Sequence, residues 1–293
     1  MIDQLESLIA LHQTGTMAAA AVRLRLTPSA ISKRIAFLEE QVGYRLAEPK
    51  GRKVELTPAA LRLISRVSPL VAEIKSVLGD EAGAESGDLT IGVTESVLAS
   101  WGPSFLSRVA KAVPQIKLNL HSHRSPVIVE RVRSGEYAVG ICAGVENRLA
   151  GLRTQLLTKE PMVIIPSGLK KFSPKNMSAL EVISIEAHAL SWDILRSQLR
   201  ALKEMRGIQI SVVREIESFS CVVQLAKAGF GHGLAPLGIA TSLGVKANQL
   251  LHLPSVALHR GVSCVARAST VSRPSLQAFF DSMETAAKKL FVS

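Results

Sequence analysis

Four residues near the N-terminus share a spacing suited to reading nucleic acid. On a helix that begins at Pro28, Ser29, Ser32, Lys33 and Ala36 fall at i, i+3, i+4 and i+7 and so lie on one face. Small residues let a backbone come close to base-pair edges. A serine hydroxyl can donate to or accept from several bases, and lysine prefers guanine acceptors or phosphate. Arg34, Arg52 and Lys53 add charge suited to phosphate, and residues 23–53 hold 8 basic against 3 acidic side chains. A basic helix face on its own would suit solvent equally well. The neighbours decide for DNA, because a tight helix pair precedes this helix and a basic hairpin follows it.

The elements that must hold this face are legible around it. Leu5, Leu8, Ile9 and His12 form a helical stripe that ends at Thr14-Gly15-Thr16, and residues 17–24 form a short Ala-rich helix. Thr27 and Pro28 are an N-cap and a first-turn proline, and they head the DNA-contact set. The helix runs to about Gln41 with Ile31, Ile35 and Leu38 inward, and Gly43 stops it. Residues 45–56 read as two short strands around Pro49-Lys50-Gly51. Three short helices and a basic hairpin make a winged helix-turn-helix. A second Thr-Pro pair, Thr57-Pro58, opens a long helix. Its apolar residues Leu63, Val67, Leu70, Ile74 and Val77 step by 4, 3, 4 and 3. That is a heptad seam, open to pairing with a second copy or to packing on its own domain. Pairing is the reading adopted, and it predicts a homodimer. Pro69 should bend the helix.

Residues 79–88 are small, polar and acidic and read as a linker. Beyond them, strand-like runs at 89–93, 116–122, 137–142, 162–166, 182–186, 209–214 and 262–267 alternate with helical stretches at 104–112, 127–133, 192–205 and 219–228. Alternation of this kind predicts an α/β fold with mostly parallel sheet.

Bulk composition excludes several classes. Of 293 residues, 47% are apolar, which is ample for packed cores. Aromatics at 4% argue against binding single strands by base stacking. The net charge of +11 is no guide to the DNA site: residues 1–88 carry 11 basic and 11 acidic side chains, so the excess lies beyond them. Cys142, Cys221 and Cys264 have no metal-type spacing and read as buried thiols. The seven histidines form no metal pattern, and neither a nucleophile elbow nor a phosphate loop is present. The expectation is a regulator with no metal and no cofactor, and not an enzyme. Asp3 and Glu6 interrupt any signal peptide, and no apolar run approaches about 18 residues, so a cytoplasmic protein without a membrane span is expected.

The N-terminal stretch resembles the DNA-binding domain of LysR-type transcriptional regulators. The likeness rests on Gly15-Thr16, Arg23-Leu24 and the run Leu26-Thr27-Pro28-Ser29-Ala30-Ile31-Ser32-Lys33-Arg34-Ile35. Leu38-Glu39, Gly43, Arg45-Leu46, Gly51-Arg52 and Leu56-Thr57 complete it. Ala47 stands where the family usually has Phe, and Pro49 where it usually has Arg. Weaker likeness continues through Gly87-Asp88-Leu89-Thr90-Ile91-Gly92, Gly135 to Ile141 and Ala228 to Pro236.

The resemblance implies an all-α winged helix-turn-helix domain (1–57) and a linker helix with hinge (58–87). An effector domain (88–293) would follow, two-lobed and α/β like periplasmic solute-binding proteins. One lobe would comprise 88–160 and 266–293, the other 161–265. It also implies double-stranded promoter DNA and a small-molecule effector as partners, and a homodimer or homotetramer. Ligands in such folds sit beyond the carboxyl ends of strands, near helix N-termini. That rule nominates Thr94, Glu95, Ser96, Ser122 and Ser125 from the first lobe, and His188, Ser218 and Phe219 from the second. Each serine serves helix capping equally well. Glu95 is more informative, since an acid there favours an amine-bearing effector such as a basic amino acid. The rival reading is an architectural DNA-binding protein whose C-terminal part only oligomerises.

Overall fold

The computed structural model describes residues 1–50, 53–81, 87–145, 149, 151–170, 179–186, 192–251 and 258–291. The chain divides into two compact units, Met1–Gly83 and Ala84–Ser293.

The first unit runs α1 (Ile2–Thr14), α2 (Met17–Leu24), α3 (Pro28–Val42), β1 (Ala47–Lys50), β2 (Lys53–Leu56) and α4 (Pro58–Glu81). Threonine caps set the helix starts. Thr16 Oγ1 accepts from the Ala19 N–H, Thr27 Oγ1 from the Ala30 N–H and Thr57 Oγ1 from the Ala60 N–H. Between α2 and α3 the chain turns at Arg25, which takes a left-handed conformation (φ 54°). Gly43 ends α3 at φ 80°, with its N–H bonded to the Glu39 carbonyl. Ala10, Leu11, Ala20, Ala21, Ile31 and Ile35 form one core cluster. The alanines of α2 let three helices meet closely. The two short strands pair antiparallel, Ala47 opposite Leu56 and Lys50 opposite Lys53. Helix α4 continues through Pro69 and on to Glu81, three residues into the stretch expected to be linker.

The second unit holds β3 (Gly87–Thr94), α5 (Glu95–Leu98), α6 (Gly102–Ala112), β4 (Ile116–His123), α7 (Ser125–Arg133), β5 (Val139–Ala143), β6 (Leu152–Ile165) and β7 (Ala179–Ile185). Then come α8 (Trp192–Arg206), β8 (Gln209–Ile216), α9 (Phe219–Lys227), β9 (His232–Pro236), α10 (Leu237–Ser242), β10 (His259–Arg267), α11 (Ala268–Val271) and α12 (Pro274–Ala287). Its eight strands are ordered β4-β3-β5-β10-β6-β9-β7-β8. Pairing within β4-β3-β5 and within β9-β7-β8 is parallel. Pairing along β5-β10-β6-β9 is antiparallel, so the sheet is mixed rather than mostly parallel.

Strands β6 and β10 account for this. From Leu152 to Pro161, with a bulge at Leu157, β6 pairs with β10, and Met162 to Ile165 pair with β9. Thus β6 passes from one half of the sheet to the other. Each half has its own core: Ile91, Phe105, Ile141 and Phe279 in the first, Ile164, Val182, Val222 and Leu234 in the second. Because β10 pairs with β5 from Val262 to Ala266, residues 262–265 belong with the first half, not the second as the sequence suggested.

Candidate functional site

The candidate reading face stands on α3. Ile31, Ile35 and Leu38 are buried, which fixes the rotation of the helix. Pro28, Ser29, Ser32, Lys33 and Ala36 are all exposed on the other side. Phe37 joins them, 47% exposed one turn beyond Lys33. Sequence reasoning passed over it, although its position four residues after Lys33 places it on the same stripe. The Thr27 hydroxyl is engaged locally, as the cap of α3 and in a 3.0 Å hydrogen bond with the Ser29 hydroxyl. Arg34, expected at phosphate, pairs with Asp3 of α1 at 3.2 Å. The pair is partly exposed, so it costs little to open. Arg52 and the side chain of Lys53 lie outside the described residues.

Glu39, on α3, holds the hairpin. Its Oε1 accepts from the backbone N–H of Leu46 (2.7 Å) and of Ala47 (3.0 Å), and its Oε2 from Arg45 (3.0 Å). Burial pushes this carboxyl up, but the two backbone donors and the Arg45 guanidinium outweigh it and leave the pKa below the ordinary value. Thr57 Oγ1 donates to the Arg45 carbonyl from the other side. Glu39 thus ties the base of the hairpin to α3.

The second unit has a cleft of about 490 Å³, counting its open mouth. Five nominated residues line it: Thr94, Glu95, Ser96, Ser125 and Phe219. The structure does not bring Ser122 there. It faces solvent beside Val93, while the next residue, His123, reaches the cleft, so strand alternation puts the nomination one residue out of phase. Ser218 caps α9 through the Ser220 N–H (3.2 Å) and is not a lining residue. His188 lies outside the described residues.

Two of the lining hydroxyls are engaged structurally. Thr94 Oγ1 and Ser125 Oγ are 3.1 Å apart, both accept from the Ala143 N–H, and they donate to the carbonyls of Ile141 and Ala143. They fasten the ends of β3 and β5 to the start of α7. Glu95 Oε1 accepts from the Ser220 hydroxyl of α9 at 3.0 Å, a bond that crosses the cleft. Glu217 adds a second, exposed carboxylate. Arg124 pairs with Glu186 at 2.7 Å. Burial, then the Arg131 and His121 charges, lower the His123 pKa against the opposing pull of Glu136. His123 is therefore neutral near pH 7.

Sequence reasoning missed the floor of the cleft, Arg260. It is 1% exposed and bonds Glu160 through Nε (2.9 Å) and Nη2 (2.6 Å), and Ser96 Oγ through Nη1 (2.9 Å). Its guanidinium carbon lies 5.2 Å from the Phe219 ring centre, within cation–π range. Trp101 Nε1 donates to the other Glu160 oxygen at 3.1 Å. A Cβ at Gly238 would stand 2.6 Å from that oxygen and 2.8 Å from Trp101 Cδ1, so only glycine fits.

A winged helix-turn-helix with an outward reading helix, on one chain with a two-halved α/β unit bearing a polar cleft, defines a DNA-binding regulator with an effector domain. Comparison with known proteins agrees. Residues 2–61 match the bacterial regulatory helix-turn-helix protein, lysR family, and residues 82–288 match the LysR substrate binding domain. The chain belongs to the LysR family of transcriptional regulators, each pairing a helix-turn-helix with an effector-binding domain. It is 26% identical over 299 residues to an uncharacterized HTH-type transcriptional regulator of Vibrio cholerae, covering 99% of this chain and 97% of that one. Its fold is similar to a full-length OxyR variant from Pseudomonas aeruginosa (TM-score 0.72, 17% identity, 99% and 95% covered). It is also similar to full-length LysG from Corynebacterium glutamicum with bound effector Arg (TM-score 0.57, 21% identity, 98% of each chain covered).

Glu39→Gln should lower stability at pH 7 by about 1–2 kcal/mol, the usual difference for charge-assisted bonds. A lowered folded pKa means that this contribution is present above the ordinary carboxylate value. It is lost as pH falls through the folded one. Urea unfolding of both proteins should converge in acid; an equal gap at pH 7 and pH 3 would refute the role.

Proposed function

We propose that this regulator reads duplex promoter DNA in the cytoplasm through Ser29, Ser32 and Lys33, acts as a homo-oligomer paired along α4, and answers to an amine-bearing effector in the cleft. No catalytic step is part of this role. The observation that carries it is the face of α3, polar, small and outward over a buried apolar stripe. Arg52 and Lys53 are proposed phosphate contacts, and Arg34 becomes one on leaving Asp3.

The face of α4 supports pairing. Ala60, Ile64 and Val71 pack into the core of the first unit. Leu70 and Ile74 stay 62% and 42% exposed, with Leu63 and Val67 half-buried beside them. A second copy of the same seam would cover this stripe and place two reading helices on a two-fold site. The side chain of Val77, the last seam position, lies outside the described residues.

Glu95 and Glu217 support a cationic effector. LysG, a family member with arginine bound, offers a ligand of that charge. Such a ligand shifts the regulator between states only by its difference in affinity for them.

Three measurements test these parts. Lys33→Ala should weaken binding to a preferred fragment by about 1–3 kcal/mol and relax its specificity; a uniform loss on every duplex would assign Lys33 to phosphate instead. Leu70→Asp should sediment as a monomer, and a persistent dimer would discard the seam. Glu95→Ala should lose binding of arginine and lysine in calorimetry, and unchanged isotherms would remove Glu95 from the site.

A further inference from the structure

We propose that Phe37 is a specificity-determining residue whose ring meets the 5-methyl group of a thymine in the major groove, beside the base pair reached by Lys33. The inference rests on α3 being the reading helix and adds a base to what that helix selects. A serine hydroxyl can donate or accept, so Ser29 and Ser32 suit several bases. An apolar contact at the C5 position marks thymine, the one base that carries a methyl group there.

Phe37 is the one phenylalanine among residues 1–83. Phenylalanine is usually a core residue, and Phe105, Phe219 and Phe279 of the second unit are fully buried. Phe37 is instead 47% exposed, and neither core cluster that holds residues of α3 includes it. Four residues after Lys33, it lies about 40° around the helix and about 6 Å further along the axis. Base pairs follow one another at about 3.4 Å, so that advance corresponds to one or two pairs. Ala36, also exposed, precedes it, and alanine suits the same methyl group. An apolar pair thus follows the polar trio of Ser29, Ser32 and Lys33. Glu40, exposed one turn beyond Ala36, ends the face, because a carboxylate is repelled by phosphate.

The occupant follows from continuity. Phe37 lies within the helix-turn-helix match over residues 2–61. Exposed Lys33 stands one turn before it, and partly exposed Arg34 stands at its side. An apolar ring between two cations suits a groove that offers methyl groups between walls of phosphate.

The probe is the duplex that the full-length protein enriches from a random library, with each thymine replaced in turn by uracil, which lacks only the methyl group. Fluorescence anisotropy should find one thymine per half-site whose replacement weakens wild-type binding about fourfold, as expected for burying one methyl-sized group. Phe37→Ala should bind the parent duplex less tightly and no longer tell thymine from uracil there. Phe37→Leu, still apolar, should keep the distinction. Both variants should keep the wild-type unfolding transition, and a lowered one would make Phe37 a packing residue and overturn the inference. Uracil tolerated at every position by wild type, or a penalty that survives Phe37→Ala, also overturns it. Neither result touches the reading by Lys33, which stands if Lys33→Ala still changes the preferred sequence. A library that yields no preferred duplex overturns both.

Discussion

The protein's dealings with DNA depend on one packing constraint, the burial of Ile31 and Ile35 against α1 and α2 and of Leu38 against α1 and α4. Each of these side chains contributes about 1.5–3 kcal/mol by leaving water. Together they leave α3 one rotation about its axis. With that rotation set, Ser29, Ser32, Lys33 and Ala36 have nowhere to face but out. The Thr27 cap and the Gly43 stop set where the face begins and ends. Glu39, from the same helix, fixes the hairpin to it. The proposed reading face thus follows from a helix whose apolar side is committed to the core and whose polar side is exposed.

The second unit solves a different problem. Two half-sheets with separate cores must share a cleft and still act as one piece. Crossing strands β6 and β10 join them, and at the crossing stands a fully buried ion pair. Such a pair is a poor source of stability, because desolvation consumes most of its attraction. Its worth is in geometry. The bonds from Trp101 to Glu160 and from Arg260 to Ser96 link the residue that caps α6, strands β6 and β10, and α5 at the cleft into one chain of contacts.

Legibility in the sequence follows the range of the interactions. The N-terminal unit is readable because its signals are local: two Thr-Pro starts, Gly43 after the last periodic residue, and an apolar stripe of helical period. Glu39 escapes as a functional residue because its partners lie seven and eight residues on, across a turn. In the second unit, the start of β6 escapes because its polar residues do not look like a strand, and α12 is absent from the helical stretches read there. Ser122 is nominated for the cleft because β4 runs one residue further than the sequence suggests, to His123. Arg260 and Glu160 cannot be found by spacing, since 100 residues separate them and only the pairing of β6 with β10 brings them together.

The central claim is that the hydroxyl and amine side of α3 enters a major groove. Selection of duplexes from a random library by the full-length protein, followed by methylation protection of the winners, tests it most directly. The account predicts a two-fold related sequence with guanine N7 protected in two major-groove patches, one helical turn or a multiple of it apart. Failure to enrich any sequence, or protection confined to the minor groove, would contradict it.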